Sequence, residues 1–484
     1  MKCCFLINEF IFFKEFWWKL AQQVAKEGDE CIFLIDGKIA EYGMKGPFPE
    51  GMKFFSKVDW CVKHYDPNKN DFGGLSWKEF FPDFVRHEPS TFNYENAVET
   101  TSQLHQFIDS VFKNEKPDVV VAGNQADLFE QITYYFSKKH KVPWLGLMES
   151  ILGDGKIDVF DLEYTNSQFK PTFDRLQESD ILADEIEFSR NFIENFISHK
   201  KAPSYMRDQV FYSSHLKLFH RYLQRLTRLN KRKDIFFKYL RNRKRFKKYD
   251  YRSDIVFRQF FKTPLKDIKR QFRIFLQKRL YCFYNDNSKD SFFLYPLHFQ
   301  PEFTTSVLAT YYADQAATVR NIAFALPFPY KLYVKEHPSS PGTRPYEFYK
   351  KIKQIPNVVL ISANEKVEKL ITKSVGVITL VGTVGLEAAL AGKPVYTLGN
   401  VFYMYHPLCR KIENFDDLKK NLYDDVTYKS GAIDLENINL RFITSYLRNT
   451  IAGGIVNGAS DSDTNNYEAI YQDLKNMLKA RQNK

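Results

Sequence analysis

The segment VGVITLVGTVGLEAALAGKPV, residues 375–395, with KLYVKEHPSSPG before it at 331–342, decides how this chain folds. Residues 375–380 are continuously apolar, the pattern of a strand covered on both faces. Gly382-Thr383-Val384-Gly385 follows, and then the helix-forming run Leu386-Glu387-Ala388-Ala389-Leu390. Two glycines and a small hydroxyl between a buried strand and a helix start leave backbone N–H groups free for an anion, which the helix dipole favours. Gly392-Lys393-Pro394 ends the helix with a C-terminal glycine and a following proline. Upstream, the β-prone run 331–335 stops at Glu336-His337-Pro338, because proline cannot donate to a sheet ladder. His337 is then presented at a strand's C-terminal end, the edge where parallel sheets bind ligands. Residues 331–403 read as four strands alternating with three helices. Either turn alone also fits a packing turn. Together, on neighbouring strands of one array, they read as a phosphate site.

The length of 484 residues suggests two or three domains. Hydrophobic content of 44% supports well-filled cores. The cysteines (Cys3, Cys4, Cys31, Cys61, Cys282 and Cys409) show no Cys-x-x-Cys pair and no Cys/His cluster at metal spacing. They read as reduced core thiols of a reducing compartment. The start MKCCFLINEF is too short in apolar residues for a signal-peptide core, and no window is apolar enough to span a membrane. A cytoplasmic location is expected. The net charge of +12 is concentrated: residues 217–280 hold 23 Lys and Arg against 4 Asp and no Glu. The remainder carries 47 basic and 54 acidic residues, a mildly acidic body with one strongly basic segment.

In chain order, residues 2–7, 13–26 and 31–36 read as strand, helix and strand. Residues 60–89 read as aromatic and irregular. A long amphipathic helix is expected over 94–114, a strand over 118–122, a helix over 128–139 and a strand over 143–148. Strand ends would display Asn8, Glu9, Asn124, Asp127, Glu149 and Asp154. Of these carboxylates Glu149 is the preferred acid/base or nucleophilic candidate, because a flexible glycine loop follows it. A helix-capping or solvated carboxylate is the other reading of each.

Residues 201–282 break the alternation. Apolar residues fall at helical spacing at Phe219, Leu223, Leu226, Leu229, then Phe236 and Leu240, then Ile268, Phe272 and Phe275, with Pro264 between two helices. A solvated helical arm and a basic amphipathic surface on anionic lipid compete here. Nucleic-acid binding ranks last, since no zinc spacing and no RNA-binding signature accompany the charge. From residue 290 the α/β pattern resumes, with a helix expected over 306–324 and closing helices over 436–449 and 467–482. The expected divisions are an α/β domain at 1–200, the basic helical segment at 201–285, a second α/β domain at 286–430 and closing helices at 431–484. The fold class is α/β: two doubly wound Rossmann-like domains with a basic helical insert between them. That layout is GT-B-like, and would also suit an epimerase or a phosphotransferase.

YPLHFQPE (295–302), Asp314-Gln315, VKEHP (334–338), GTVGLEAALAGKPV (382–395) and GNVFY (399–403) resemble the bacterial capsule polysaccharide biosynthesis family in order and spacing. The family includes retaining Kdo transferases that start capsule chains on a lipid. PWLGLMESILGDGKID (143–158) looks like the family's strand ending in an acidic residue, and Thr383 keeps the hydroxyl where Ser is usual. The resemblance implies a CMP-activated donor, CMP-Kdo, as substrate, with no cofactor and no essential metal. It implies that Lys335, His337, Pro338 and Gly382, Thr383, Val384 and Gly385 hold the CMP phosphate. Glu387 would reach the ribose or base, and Gln300 and Glu302 would line the donor pocket. The acceptor would be a lipid-linked or other glycan. Arg241, Arg243, Lys244, Arg245, Lys247 and Lys248 would hold the protein peripherally on the anionic inner membrane face, near capsule assembly and export proteins. The competing readings are a UDP- or CDP-linked sugar or polyol-phosphate transferase of similar shape, and a non-catalytic membrane-associated protein that keeps a nucleotide-binding fold.

Overall fold

The computed structural model describes residues 1–8, 14–43, 50–69, 71–86, 93–123, 125–153, 155–161, 165–198, 233–253, 268–277, 280–282, 289–428, 433–455 and 466–482. The chain divides into two compact units. The first comprises Met1–Asp161, Phe211–Lys262 and Thr450–Lys484, the second Leu162–Val210 and Thr263–Asn449. The basic stretch 201–285 therefore contributes to both units, as does the stretch 431–484.

The first unit's sheet holds β1 (Lys2–Ile7), β2 (Glu30–Ile35), β3 (Met52–Ser56), β4 (Val119–Ala122), β5 (Trp144–Glu149), β6 (Lys156–Phe160) and β13 (Thr450–Ala452). Their order is β3-β2-β1-β4-β5-β6-β13. The first five are parallel, and β6 and β13 add antiparallel. Such a 3-2-1-4-5 order is doubly wound, with its direction reversing between β1 and β4. Alternate strand residues feed two cores. Cys3, Phe5, Ile7 and Phe33 pack with Leu20, Val24, Ile470 and Leu474. Cys4, Leu6, Ile32 and Leu34 pack with Leu104, Phe107, Phe129 and Ile132. Period-two alternation thus becomes burial on both faces, because helices cover each side.

The second unit's sheet is fully parallel: β7 (Phe292–Pro296), β8 (Lys331–Lys335), β9 (Val358–Ile361), β10 (Gly376–Thr379), β11 (Val395–Thr397) and β12 (Cys409–Lys411). Its order, β9-β8-β7-β10-β11-β12, is 3-2-1-4-5-6, with the reversal between β7 and β10. Every residue of β7 is buried. Both sheets are therefore of the expected Rossmann-like class.

Several local readings change. Residues 60–89 are not irregular throughout: helices run over Lys57–His64 and Trp77–Arg86. Pro82 lies inside the second, which disguises it from a reading that stops helices at proline. The helix expected from 306 starts at Gln315, because Asp314 Oδ1 accepts from the amides of Ala316 and Ala317 at 3.1 Å each and caps it. All six cysteines are free thiols, but only Cys3, Cys4, Cys31 and Cys61 are core residues; Cys282 is exposed. Among the described residues no helix is long and apolar enough to cross a membrane.

The C-terminal crest of the first sheet is filled by the chain itself. Arg252 directs Nε to Asp36 at 2.5 Å, Nη1 to Asp127 at 3.1 Å and Nη2 to Asp83 at 3.5 Å. Lys57 pairs with Asp36 at 3.1 Å and stands 4.8 Å from the Tyr251 ring. All three aspartates and Lys57 are fully buried. Removing one partner of a buried ion pair typically costs about 3–5 kcal/mol, because the other charge is stranded. Arg252→Ala is therefore expected to lower the first unit's stability by about that much, read as an earlier urea transition. Arg252→Lys should recover only part, since one ammonium cannot replace a three-way fork.

Candidate functional site

Three strand ends converge at the reversal point of the second sheet. β8 delivers His337, β7 delivers Leu297-His298-Phe299, and β10 delivers the turn leading into the helix Thr383–Leu390. β8 and β10 are not neighbours; β7 lies between them. The two turns are joined instead through His298. Its Nε2 accepts from the Val381 amide at 3.3 Å and lies 3.3 Å from Thr379 Oγ1. Its own amide donates to Gln315 Oε1 at 2.8 Å, and its carbonyl accepts from Gln315 Nε2 at 2.9 Å and from Arg344. The Phe299 ring stands 5.8 Å from the His337 ring. His298, Gln315 and Arg344 were not singled out as site residues, although the first two lie in the motifs YPLHFQPE and Asp314-Gln315.

Glu336 carries the other half of the frame. It is fully buried, and Oε1 accepts from the His337 amide at 2.7 Å and from Arg344 Nη1 at 2.6 Å. The Tyr349 hydroxyl donates to Oε2. Beyond it, Pro338 ends the strand and His337 Nδ1 accepts from the Ser339 amide at 3.1 Å. Burial, with Arg344 and Lys335 nearby, pushes the His337 pKa down to about 4. A neutral imidazole that accepts at Nδ1 carries its proton on Nε2. His337 therefore offers an N–H donor rather than a positive charge. His298 is likewise held neutral: burial lowers its pKa to about 3.

The glycines of the turn answer to packing. A Cβ at Gly382 would meet His298 Nε2 at 3.0 Å, and one at Gly385 would meet the Tyr403 hydroxyl at 2.5 Å and its ring at 2.8 Å. Tyr403 donates that hydroxyl to the Gly382 carbonyl. Gly382 caps the helix and gives its own amide to Thr379 Oγ1 at 3.2 Å. Thr383 and Val384, both half-buried, then open the helix with amides that have no acceptor one turn earlier in it.

Lys335 is nearly fully buried, with Nζ donating to the carbonyls of Glu336 and Ala363 at 3.3 Å each. Burial lowers its pKa to about 8, opposed by Glu336, Glu387, Glu365 and Glu368. It is thus protonated at neutral pH and loses that charge in mild alkali. Glu387 is buried on the helix that carries the turn. In the loop after β7, Gln300 Nε2 donates to the Ala313 carbonyl at 2.7 Å, and Glu302 accepts from the Thr304 hydroxyl at 3.3 Å.

In the first unit Glu149 closes β5 at the start of the β5–β6 hairpin, half-buried, with Oε2 accepting from the Ile455 amide at 2.7 Å. Asp127 is a buried cap of the helix Leu128–Lys139, and Asn8 donates to it at 3.2 Å. Glu9, Asn124 and Asp154 lie outside the described residues, as do Phe219, Leu223, Leu226, Leu229 and Pro264. The helix Lys233–Phe246 is anchored by the buried Tyr239. Arg241, Lys244, Arg245, Lys247 and Lys248 are exposed and Arg243 is half-buried.

Residues 236–416 match the model of the family described as capsule polysaccharide biosynthesis protein. No curated protein sequence matches the chain significantly. Among solved structures the chain is similar to the β-Kdo 2,7 transferase of Thermosulfurimonas dismutans KpsC, at 10% identity and a TM-score of 0.36, over 76% of this chain and 90% of that one. It is similar to the β-Kdo 2,4 transferase of the same protein at 11% identity and a TM-score of 0.33, over 68% and 80% of the two chains. A UDP-GlcNAc 2-epimerase from Neisseria meningitidis bound to UDP-GlcNAc is similar at 12% identity and a TM-score of 0.27, over 98% and 100%.

If the crest binds an anion, its affinity should fall as pH rises through about 8, where Lys335 loses its proton. His337 is already neutral well below neutrality and should add no step between pH 6 and 8. Calorimetric titration of a nucleotide across that range checks this, and Lys335→Met should abolish the alkaline fall.

Proposed function

We propose that this chain, whose residues 236–416 match the capsule polysaccharide biosynthesis family, is a glycosyltransferase. It moves a sugar from a CMP-activated donor, CMP-Kdo, to a lipid-linked or other glycan acceptor. One observation carries the reading. At the β7/β10 crest, the backbone at His337 and at Val381, which leads into the turn Gly382–Gly385, belongs to one hydrogen-bonded frame, with Lys335 at the end of β8.

Departure of a sugar from CMP builds negative charge on the phosphate. Donors held in place beforehand stabilise that charge without reorganising, which makes them effective. In this reading His337 Nε2–H and the turn Gly382–Gly385 hold the phosphate, and Lys335 supplies the positive potential. Glu387 serves the ribose or base end, and Gln300 and Glu302 the sugar end. Glu149 takes the acceptor proton or attacks the sugar. Residues 241–248 face an anionic inner membrane surface, where a lipid-linked acceptor lies and where capsule assembly and export proteins would meet the enzyme. The exposure of most of these basic side chains supports that last part.

Thermal stabilisation by CMP, CDP, UDP, GDP and ADP tests the reading. A nucleotide at about 100 times its Kd adds about 2.7 kcal/mol, a clear shift. CMP should stabilise the protein, and His337→Ala should lose the shift. The same substitution should slow transfer by about 10²–10³, the usual cost of one such donor. A shift with UDP or CDP instead would keep the site and discard CMP-Kdo. No shift with any nucleotide would favour the non-catalytic protein.

A further inference from the structure

Helical residues 268–277 of the second unit are amphipathic in an inverted sense. Arg270, Arg273 and Gln277 face the protein. Arg270 Nε and Nη2 donate to the carbonyls of Pro341 and Ser339 at 2.9 and 2.7 Å, and Arg273 Nη1 donates to the Thr343 carbonyl at 2.9 Å. Gln277 donates to the Arg344 carbonyl at 2.7 Å and accepts from the Gly342 amide at 3.1 Å. Gly342 has φ +75°, and a Cβ there would stand 2.4 Å from the Arg270 carbonyl oxygen, so helix and loop touch backbone to backbone. Four apolar side chains face solvent, while Ile274 lies against Gly342. Ile268 is 69% exposed, Phe272 63%, Phe275 72% and Leu276 41%. Positions 268, 272, 275 and 276 form one helical stripe.

A stripe with two outward phenylalanines is costly in water and calls for a cover. Its surroundings indicate which cover. Besides the inward-bonded Arg270 and Arg273, the sequence of residues 262–279 holds Lys262, Lys266, Lys269, Lys278 and Arg279 against the single acid Asp267. Apolar stripe plus cationic flanks is the composition of a helix lying in a membrane interface, its side chains in the headgroup–acyl boundary and its cations among anionic headgroups.

We propose that residues 268–277 are a membrane-docking surface, whose apolar stripe inserts into an anionic bilayer while its polar face holds the loop 339–344. That loop begins two residues after His337 and supplies the Ser339 amide to His337 Nδ1. Docking at the stripe thereby orients the crest that carries His337. The inference deepens the membrane part of the proposed function. Its test uses no nucleotide, so it can fail while the transferase reading stands.

The experiment is co-sedimentation of the full chain with vesicles of phosphatidylcholine alone or mixed with phosphatidylglycerol. The chain should bind the phosphatidylglycerol vesicles, and Phe272→Ser with Phe275→Ser should weaken binding at least about tenfold. The thermal midpoint should not fall, because both side chains are exposed. Independently, Phe275→Trp should show fluorescence quenched by brominated lipid. Unchanged binding by the double variant, or no quenching, would overturn the proposal. So would a dimer that the double variant dissociates without any lipid binding, which would assign the stripe to a second copy of this chain.

Discussion

One buried carboxylate, Glu336, is the constraint on which the crest of the second sheet depends. It accepts from the amide of the residue after it, from Arg344 and from Tyr349. Arg344 passes the constraint to the His298 carbonyl, Gln315 holds His298 from the next helix, and His298 holds the amide of Val381. The ends of β8, β7 and β10 are thus one network. Burying an ion costs several kcal/mol unless its partners are all in place, so such a network is either complete or destabilising. Its members cannot drift singly. That is what a site needs if its donors are to be aimed before a ligand arrives.

The same low dielectric decides which charges exist there. Burial removes the charge from both histidines yet leaves Lys335 cationic at neutral pH, because a lysine starts far higher. The crest therefore combines one formal charge with several fixed dipoles: the His337 N–H and the first amides of a helix. Dipoles held by a network lose little on burial, and a neutral imidazole keeps its orientation because its second nitrogen is already engaged.

Much of the fold was legible from periodicity and turn chemistry. Lys2–Ile7, Leu128–Lys139 and Tyr467–Gln482 fall where apolar spacing and caps put them. Less legible were elements whose signal is tertiary. β6 and β13 are short antiparallel additions that make sense only once β5 is there to pair with. For the site, His337 and the glycine turn were visible because proline and glycine punctuate the chain at those positions. His298 and Arg344 were not, because their roles lie in contacts 46 to 83 residues apart in sequence. The glycines were read as freeing backbone amides, with a packing turn as the alternative, and the closeness of His298 and Tyr403 is what excludes a side chain there. The stripe at 268–275 was correctly placed on a helix, but periodicity says only that one face is apolar, not which way it points.

The two crests share a strand order and meet different ends. In the first unit Asp36, Asp83 and Asp127 gather where β1 and β4 diverge, and three buried carboxylates demand a cation. The chain supplies Arg252 from its own basic stretch. In the second unit, among the described residues, small residues and neutral donors line the helix start and no charged plug of this kind is present. The basic stretch is therefore not one functional patch. Arg252 is consumed inside the first unit, and Arg270 and Arg273 bind loop carbonyls of the second. A charge count of +19 overstates what a partner can feel. The positive potential available at the surface has to be reckoned from exposed side chains such as Arg241, Lys244, Arg245 and Lys247. Exposed ion pairs and point charges are screened within about 8 Å at physiological salt, so these cations can recruit a surface but not hold it. Holding requires apolar burial, and among the described parts of the basic stretch the stripe at residues 268–276 offers four exposed large apolar side chains, against Phe237 and Leu240 on the helix Lys233–Phe246.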